Sequence, residues 1–134
     1  MADCLFCKIA AGEIPSDCLY QDEQIYVFKD IDPQAPTHFL VIPKAHIDSA
    51  ACITTENSPV IAHAFEVIAR LAKELNLEGF RIVSNVGESA GQSVRHLHFH
   101  IEWNQAAPLA DFITLINNFE GISLREENDT IIAE

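Results

Sequence analysis

The sequence predicts an α+β domain built on an antiparallel sheet. Residues 24–28 and 37–42 read as two strands with a turn-rich segment between them. Residues 58–75 repeat apolar side chains at helical spacing. Two further strand-like segments, residues 80–84 and 94–102, follow that helix, and no strand–helix–strand unit repeats. Strands, one helix and strands again are the order of an α+β fold.

The elements follow in chain order. Residues 24–28 (Gln-Ile-Tyr-Val-Phe) alternate apolar side chains with a tyrosine, and residues 37–42 are apolar and β-branched. Asp30-Ile31-Asp32-Pro33-Gln34-Ala35-Pro36 turns the chain between them. Ser58 is the expected N-cap of the helix, with Pro59 in its first turn. Ile61, Phe65, Ile68, Leu71, Ala72 and Leu75 form its apolar stripe, and Asn76 and Gly79 close it. The first 103 residues read as one unit. Residues 104–134 read as an acidic C-terminal extension packed on or trailing that domain. Within it a short helix is expected over residues 109–119, a short strand over 130–133, and solvated loop elsewhere.

The 134 residues make one domain, and a chain of this size with 49% hydrophobic residues builds a core without disulfides. The net charge of −12 argues against nucleic acid and anionic membranes as partners, although a local site for a small phosphorylated ligand remains open. Residues 101–134 carry seven acids and one base, which is half of that charge. The longest stretch without Asp, Glu, Lys or Arg is the eleven residues 33–43, broken by three prolines, against the about 20 apolar residues of a membrane span. The first residues lack a basic start and an apolar signal core, so a cytoplasmic location is expected. In that reducing setting the four cysteines are read as buried, reactive or metal-binding, and Cys18 and Cys52 in particular as buried thiols.

The segment that carries chemistry is Gly91-Gln92-Ser93-Val94-Arg95-His96-Leu97-His98-Phe99-His100-Ile101. In a strand, His96, His98 and His100 would share one face at about 6.5–7 Å per step, with Leu97, Phe99 and Ile101 facing the core. The plain reading is a half-exposed strand with histidines on its polar face. Two sharper ones are a catalytic metal held by three imidazoles and a nucleophilic imidazole flanked by phosphate-binding neighbours. The Gly-Gln-Ser-Val preceding the histidines favours the nucleophile, since glycine admits close backbone approach and Ser93 offers a hydroxyl and an amide.

This run resembles the signature of the histidine triad (HIT) superfamily. Cys4-Leu5-Phe6-Cys7-Lys8-Ile9, Gly12-Glu13-Ile14-Pro15, the segment 30–44 and His46 extend the resemblance to the branch of histidine triad nucleotide-binding (HINT) proteins over about residues 3–101. It implies a HIT-like fold, with an antiparallel sheet of about five strands, one main helix and a C-terminal extension. It also implies a nucleotide-binding hydrolase that cleaves purine nucleoside 5′-phosphoramidates or related nucleotidyl conjugates. His98 would attack the α-phosphorus, and water would release a nucleoside monophosphate from the nucleotidyl-histidine.

By the same resemblance, the His96 carbonyl orients His98, while His100 and Ser93 meet phosphate oxygens. His38 assists proton delivery to the leaving amine. Asp30 binds the ribose hydroxyls, and Phe6, Ile9, Phe28, Ile31 and Leu40 line the base pocket. Without the resemblance these apolar residues read as ordinary core. Asn85, Gln92, Ser93 and Val94 lie beside the nucleotide. His100 stands where related transferases carry glutamine, which favours hydrolysis over transfer. The segment 30–46 fits the phosphoramidase-type branch better than the dinucleoside polyphosphate hydrolases.

The resemblance further implies a structural zinc, not needed for catalysis, held by Cys4, Cys7, His46 and His96. No organic cofactor is implied. It implies a homodimer formed through the helix and a central strand, with Ile61, Phe65 and Ile68 as candidate contacts. After Ile101 the glycines of that branch are replaced by Glu102-Trp103-Asn104, which bears on leaving-group preference. A nucleotide-binding adaptor with little turnover, a dinucleoside polyphosphate hydrolase and a metallohydrolase are the competing functions.

Overall fold

The computed structural model describes residues 3–33, 35–103, 124–127 and 130–133. The short helix α1 (Leu5–Ala10) comes first, capped by Cys4, whose thiol accepts from the Cys7 N–H at 3.3 Å. Strands β1 (Cys18–Gln21), β2 (Ile25–Lys29) and β3 (Thr37–Pro43) follow, then α2 (Ser58–Glu74), β4 (Arg81–Val83) and β5 (Phe99–Trp103). These five strands form one antiparallel sheet in the order β1-β2-β3-β5-β4. Strands β6 (Leu124–Glu127) and β7 (Thr130–Ala133) pair as a separate hairpin.

The sheet is buried on both faces, and side-chain alternation divides it. Ile25, Val27, Phe39, Val41, Phe99 and Ile101 pack with Val67, Ile68 and Leu71 of α2. Tyr26, Phe28, Leu40 and Ile42 point the other way and pack with Phe6 and Ile9 of α1. The register β3–β5 sets Leu40 opposite His100 and His38 opposite Glu102. The second face therefore changes from apolar near α1 to histidine-rich along β5.

The expected strands and main helix are present, with shifted ends. Asn57, rather than Ser58, holds the N-cap position of α2. Its carboxamide oxygen is taken by the Thr54 N–H at 2.7 Å, so it makes no cap bond. Asn76 ends the helix in the left-handed region at φ 57°. The expected strand over 94–102 is shorter. Residues 94–96 bend, the Leu97 N–H bonds to the Ile47 carbonyl, and strand pairing begins at Phe99. Residues 124–127 pair as β6 where loop was expected, because 130–133 supplies an antiparallel partner. The expected helix over 109–119 lies outside the described residues. Neither α1 nor β1 was legible: α1 is six residues long, and β1 is an edge strand with two exposed and two half-buried residues.

Cys18 and Cys52 are exposed, which corrects their reading as buried thiols. Cys18 opens the edge strand, and Cys52 ends a single 3-10 turn, Ala50–Cys52, on the surface. Ile68 is buried in the core, so of the three candidate dimer residues Phe65, 43% exposed, offers the most free surface. No helix among the described residues is long and apolar enough to cross a membrane.

Candidate functional site

The three triad histidines are buried, which removes the half-exposed strand as an explanation. They do not act as one row. His96 lies in the bend before β5, and its ring, like that of His98, packs against Phe6. Its Nε2 donates to the Pro43 carbonyl at 2.7 Å, and its Nδ1 faces the thiols of Cys4 at 3.3 Å and Cys7 at 3.4 Å. His98 and His100 keep ring contact with each other at 5.1 Å between centroids. The expectation of three imidazoles projecting together from one strand is thus corrected to one plus two.

His98 has its tautomer assigned by its partner. Its Nδ1 lies 2.6 Å from the His96 carbonyl, which only accepts, so Nδ1 carries the proton and Nε2 keeps its lone pair. Burial lowers the His98 pKa, against the opposing effects of that hydrogen bond and Asp30, so the ring is neutral at pH 7. The edge of Phe6 packs against it at 5.0 Å and 89°. His100 is pushed down to about 3 by burial, with His98 and His38 adding to the effect.

His38 joins this group from β3. Its Nε2 lies 3.0 Å from His100 Nδ1 and 3.4 Å from Asp30 Oδ2. Burial lowers its pKa too, with Asp30 and Asp32 opposing. A carboxylate beside Nε2 favours the proton there. His38 then donates to His100 Nδ1, and His100 carries its own proton on Nε2, as a donor into the site. The result is a bare Nε2 on His98 next to an N–H donor on His100, with His38 donating to the far nitrogen of the His100 ring.

The other expected site residues fall into three groups. Phe6, Ile9, Phe28 and Leu40 form one apolar cluster with Val94 at its edge. Tyr26, Ile42 and Ile14 belong to the same cluster and were missed. The signal for the first two was available, since each lies two residues from a chosen residue on the same strand face. Ile31, at 99% exposure, stands outside this cluster. Asp30 accepts the Asp32 N–H at 2.8 Å and presents its other oxygen toward His38. A cavity of about 300 Å³ opens beside Asp30, Thr37 and His38.

Asn85 and Gln92 are buried and brace the loop before the triad. Asn85 donates to the Ala90 carbonyl at 2.7 Å. Gln92 accepts from the Gly87 N–H at 2.8 Å and donates to the carbonyls of Asp48 and Val94 at 2.7 and 3.0 Å. The loop turns at Gly91, whose φ of 88° suits glycine. Ser93 is exposed at its end, and with Val94 it borders a second cavity of about 590 Å³.

Cys4, Cys7, His46 and His96 converge, with their four donor atoms all within 4.8 Å of one another. The closest sulfur–nitrogen separations, 3.3 to 3.4 Å, approach the about 3.5 Å of a tetrahedron with ordinary zinc–sulfur and zinc–nitrogen bonds. Both imidazoles present Nδ1 to the thiols. The far nitrogens are held by outer partners: His46 by Asp48 at 2.6 Å and His96 by the Pro43 carbonyl at 2.7 Å. That is the arrangement that orients metal-binding histidines. The donor set fits a closed, structural metal centre.

A buried triad histidine aligned by a backbone carbonyl and ringed by neutral imidazoles defines a histidine triad site. The profile of the family described as "Scavenger mRNA decapping enzyme C-term binding" matches residues 3–111. HitA of Neisseria gonorrhoeae is 45% identical over 102 residues, 75% of this chain and 95% of that protein. A purine nucleoside phosphoramidase of Escherichia coli is 37% identical over 99 residues, covering 72% and 83%. A solved histidine triad protein from Clostridium difficile superposes with a TM-score of 0.77 at 44% identity, covering 81% of this chain and 96% of that one. A HIT family hydrolase from Clostridium thermocellum gives 0.76 at 37%, with the same coverage. The chain belongs to the histidine triad family.

Proposed function

We propose that this protein hydrolyses purine nucleoside 5′-phosphoramidates or related nucleotidyl conjugates through a covalent intermediate on His98. The observation that carries the reading is the buried, neutral His98 ring. The His96 carbonyl holds its proton on Nδ1 and leaves Nε2 as the nucleophilic nitrogen. Nε2 attacks the α-phosphorus, the phosphorus–nitrogen bond breaks, and the amine departs with a proton drawn through His38. Water then cleaves the phosphorus–nitrogen bond to His98 and releases the monophosphate. His100 Nε2–H and the exposed Ser93 stabilise charge on the phosphoryl oxygens. Asp30 accepts from the ribose hydroxyls, and the apolar cluster of Phe6, Ile9, Phe28 and Leu40 receives the base. The relative from Escherichia coli described as a purine nucleoside phosphoramidase supports this substrate class.

Incubation with adenosine 5′-phosphoramidate tests it. Mass spectrometry of acid-sensitive, base-stable adducts is expected to place a nucleotidyl group on His98, and His98→Asn to lose at least about a thousandfold in kcat. Wild-type turnover no faster than that variant would favour a nucleotide-binding adaptor instead.

In this reading Cys4, Cys7, His46 and His96 hold one zinc, which cross-links the start of α1 to the segment leading into β5. With four protein ligands its contribution is to folding, and the nucleophile's geometry depends on it only through the His96 backbone. The protein also pairs as a homodimer through the exposed parts of α2 and the sheet. Phe65→Glu is expected to give monomers in light scattering, and a wild-type monomer would reject the pairing.

A further inference from the structure

Glu102 is 0% exposed, and among the described residues its two carboxyl oxygens are the buried side-chain atoms without a hydrogen-bond partner. Such a group costs stability, and an apolar side chain there would avoid the cost. Its surroundings indicate what it does. On β5 it follows His100 on the same face, and its register partners are His38 on β3 and Arg81 on β4. Oε1 lies 3.9 Å from Nδ1 of His38, on the side of the ring opposite the nitrogen that meets Asp30 and His100.

We propose that Glu102 is a positioning residue for His38: its protonated carboxyl turns its O–H to Nδ1, keeps the His38 proton on Nε2, and replaces that proton once it has gone to the departing amine. This rests on the phosphoramidate reading above. The contact closes from 3.9 Å to hydrogen-bond length as the proton moves. When the phosphorus–nitrogen bond breaks, the Nε2 proton passes to the amine nitrogen and the Glu102 proton passes to Nδ1. His38 stays neutral, and a carboxylate remains. When water attacks the nucleotidyl-histidine, one of its protons returns to Nε2 and the Nδ1 proton returns to Glu102. No proton is gained or lost over the cycle.

The charged and titratable groups facing Glu102 are Arg81 from β4, His38 from β3, Asp30 beyond the end of β2, and His100 on its own strand. Burial raises its carboxyl to about 7, with Arg81 opposing and Asp30 adding. Below that pH the O–H holds His38 as the Nε2–H form. Above it the Glu102 carboxylate competes with Asp30 for the single ring proton and draws it to Nδ1, and Nε2 is left bare and unable to protonate an amine.

The test compares two adenosine monophosphate derivatives, one losing an alkylamine and one losing a nitrophenolate, which needs no proton. In the wild type the amine rate is expected to fall as pH rises through about 7 while the nitrophenolate rate does not. In Glu102→Gln and Glu102→Leu the ratio of amine rate to nitrophenolate rate should drop at least about tenfold. An equal loss on both substrates would reduce Glu102 to a packing role and overturn the proposal. So would an unchanged ratio. Nitrogen-15 shifts of the His38 ring decide the point independently of turnover: a switch from Nε2–H to Nδ1–H near pH 7 in the wild type, absent in Glu102→Leu, is expected. A wild-type ring that does not switch refutes the proposal even where no substrate turns over. Turnover that survives His98→Asn counts against the nucleophile reading alone.

Discussion

The chemistry depends on which nitrogen of each ring holds a proton. His98 is neutral because burial disfavours imidazolium, and its Nε2 is bare because the His96 carbonyl takes the Nδ1 proton. The acid limb of kcat/KM follows. In the proposed mechanism His98 acts unprotonated, and its pKa is depressed from the ordinary 6.5, so activity is expected to hold at pH 6.5 and decline only at lower pH. A midpoint at or above 6.5 would show that the ring is not desolvated in the free protein. Asp30 makes a second prediction. Asp30→Ala should raise KM for the nucleotide roughly 10- to 150-fold, the equivalent of the about 1.5–3 kcal/mol of hydrogen bonds to a charged group, and leave the His98 adduct detectable. These roles were legible in part. The alternation His-Leu-His-Phe-His marked the ring row and its apolar backing, and the resemblance implied the His96 carbonyl as the partner of His98, but the tautomers of His96 and His100 depend on partners 53 and 62 residues away and could not be read from spacing.

At the scale of elements, the site is held by what flanks it. Leu97, fully buried between two triad histidines, packs on the α2 side of the sheet, and Leu97→Ala is expected to cost about 2–5 kcal/mol in denaturant unfolding. Helix α2 is tied to the turn before β2 through His63, whose Nε2 lies 2.6 Å from Asp22 Oδ2, while Tyr20 donates to the same oxygen at 2.7 Å. Burial alone would raise Asp22. The hydrogen bonds from Tyr20, His63 and the N–H groups of Gln24 and Ile25 overcome it and hold the carboxylate well below its usual range. The bond to Asp22 raises His63. His63 therefore contributes fully below about pH 6.5 and loses its contribution as pH rises through its elevated value, whereas Asp22 contributes above about pH 4 and fails only in strong acid. His63→Ala should lower Tm by about 2–5 °C at pH 5.5 and by less at pH 9. An equal loss at both pH values would show that the ion pair is not the source.

For the whole molecule, the four-donor cluster joins segments far apart in the chain. Cys4 and Cys7 flank the start of α1, His46 follows β3, and His96 precedes β5. A closed centre of this kind predicts one zinc per chain in protein purified without chelator, and under about 0.2 would exclude it. Chelation is expected to lower Tm before it lowers activity. Immediate loss of turnover without unfolding would point instead to a catalytic metal. The acidic balance of the chain takes on local meaning here. The described site combines neutral rings with the Asp30 carboxylate, so in the proposed reaction phosphate would be met by N–H donors instead of by a basic surface.

Local pattern determined the strand-forming segments, the main helix and the ring-bearing segment, while the candidate metal donors came from the family resemblance. Period-2 and period-3.6 burial are properties of neighbouring residues, and so are motif spacings. Tertiary structure decided how the three histidines divide. Strand periodicity places side chains on a common face only while the strand continues, and here the chain bends at residues 94–96 and pairs only from Phe99, with His96 meeting the thiols and His98 and His100 meeting each other. It also decided the standing of Glu102. In sequence this residue is one more acid at the start of an acidic extension, and only its register against His38 and Arg81 shows it to be buried inside the site.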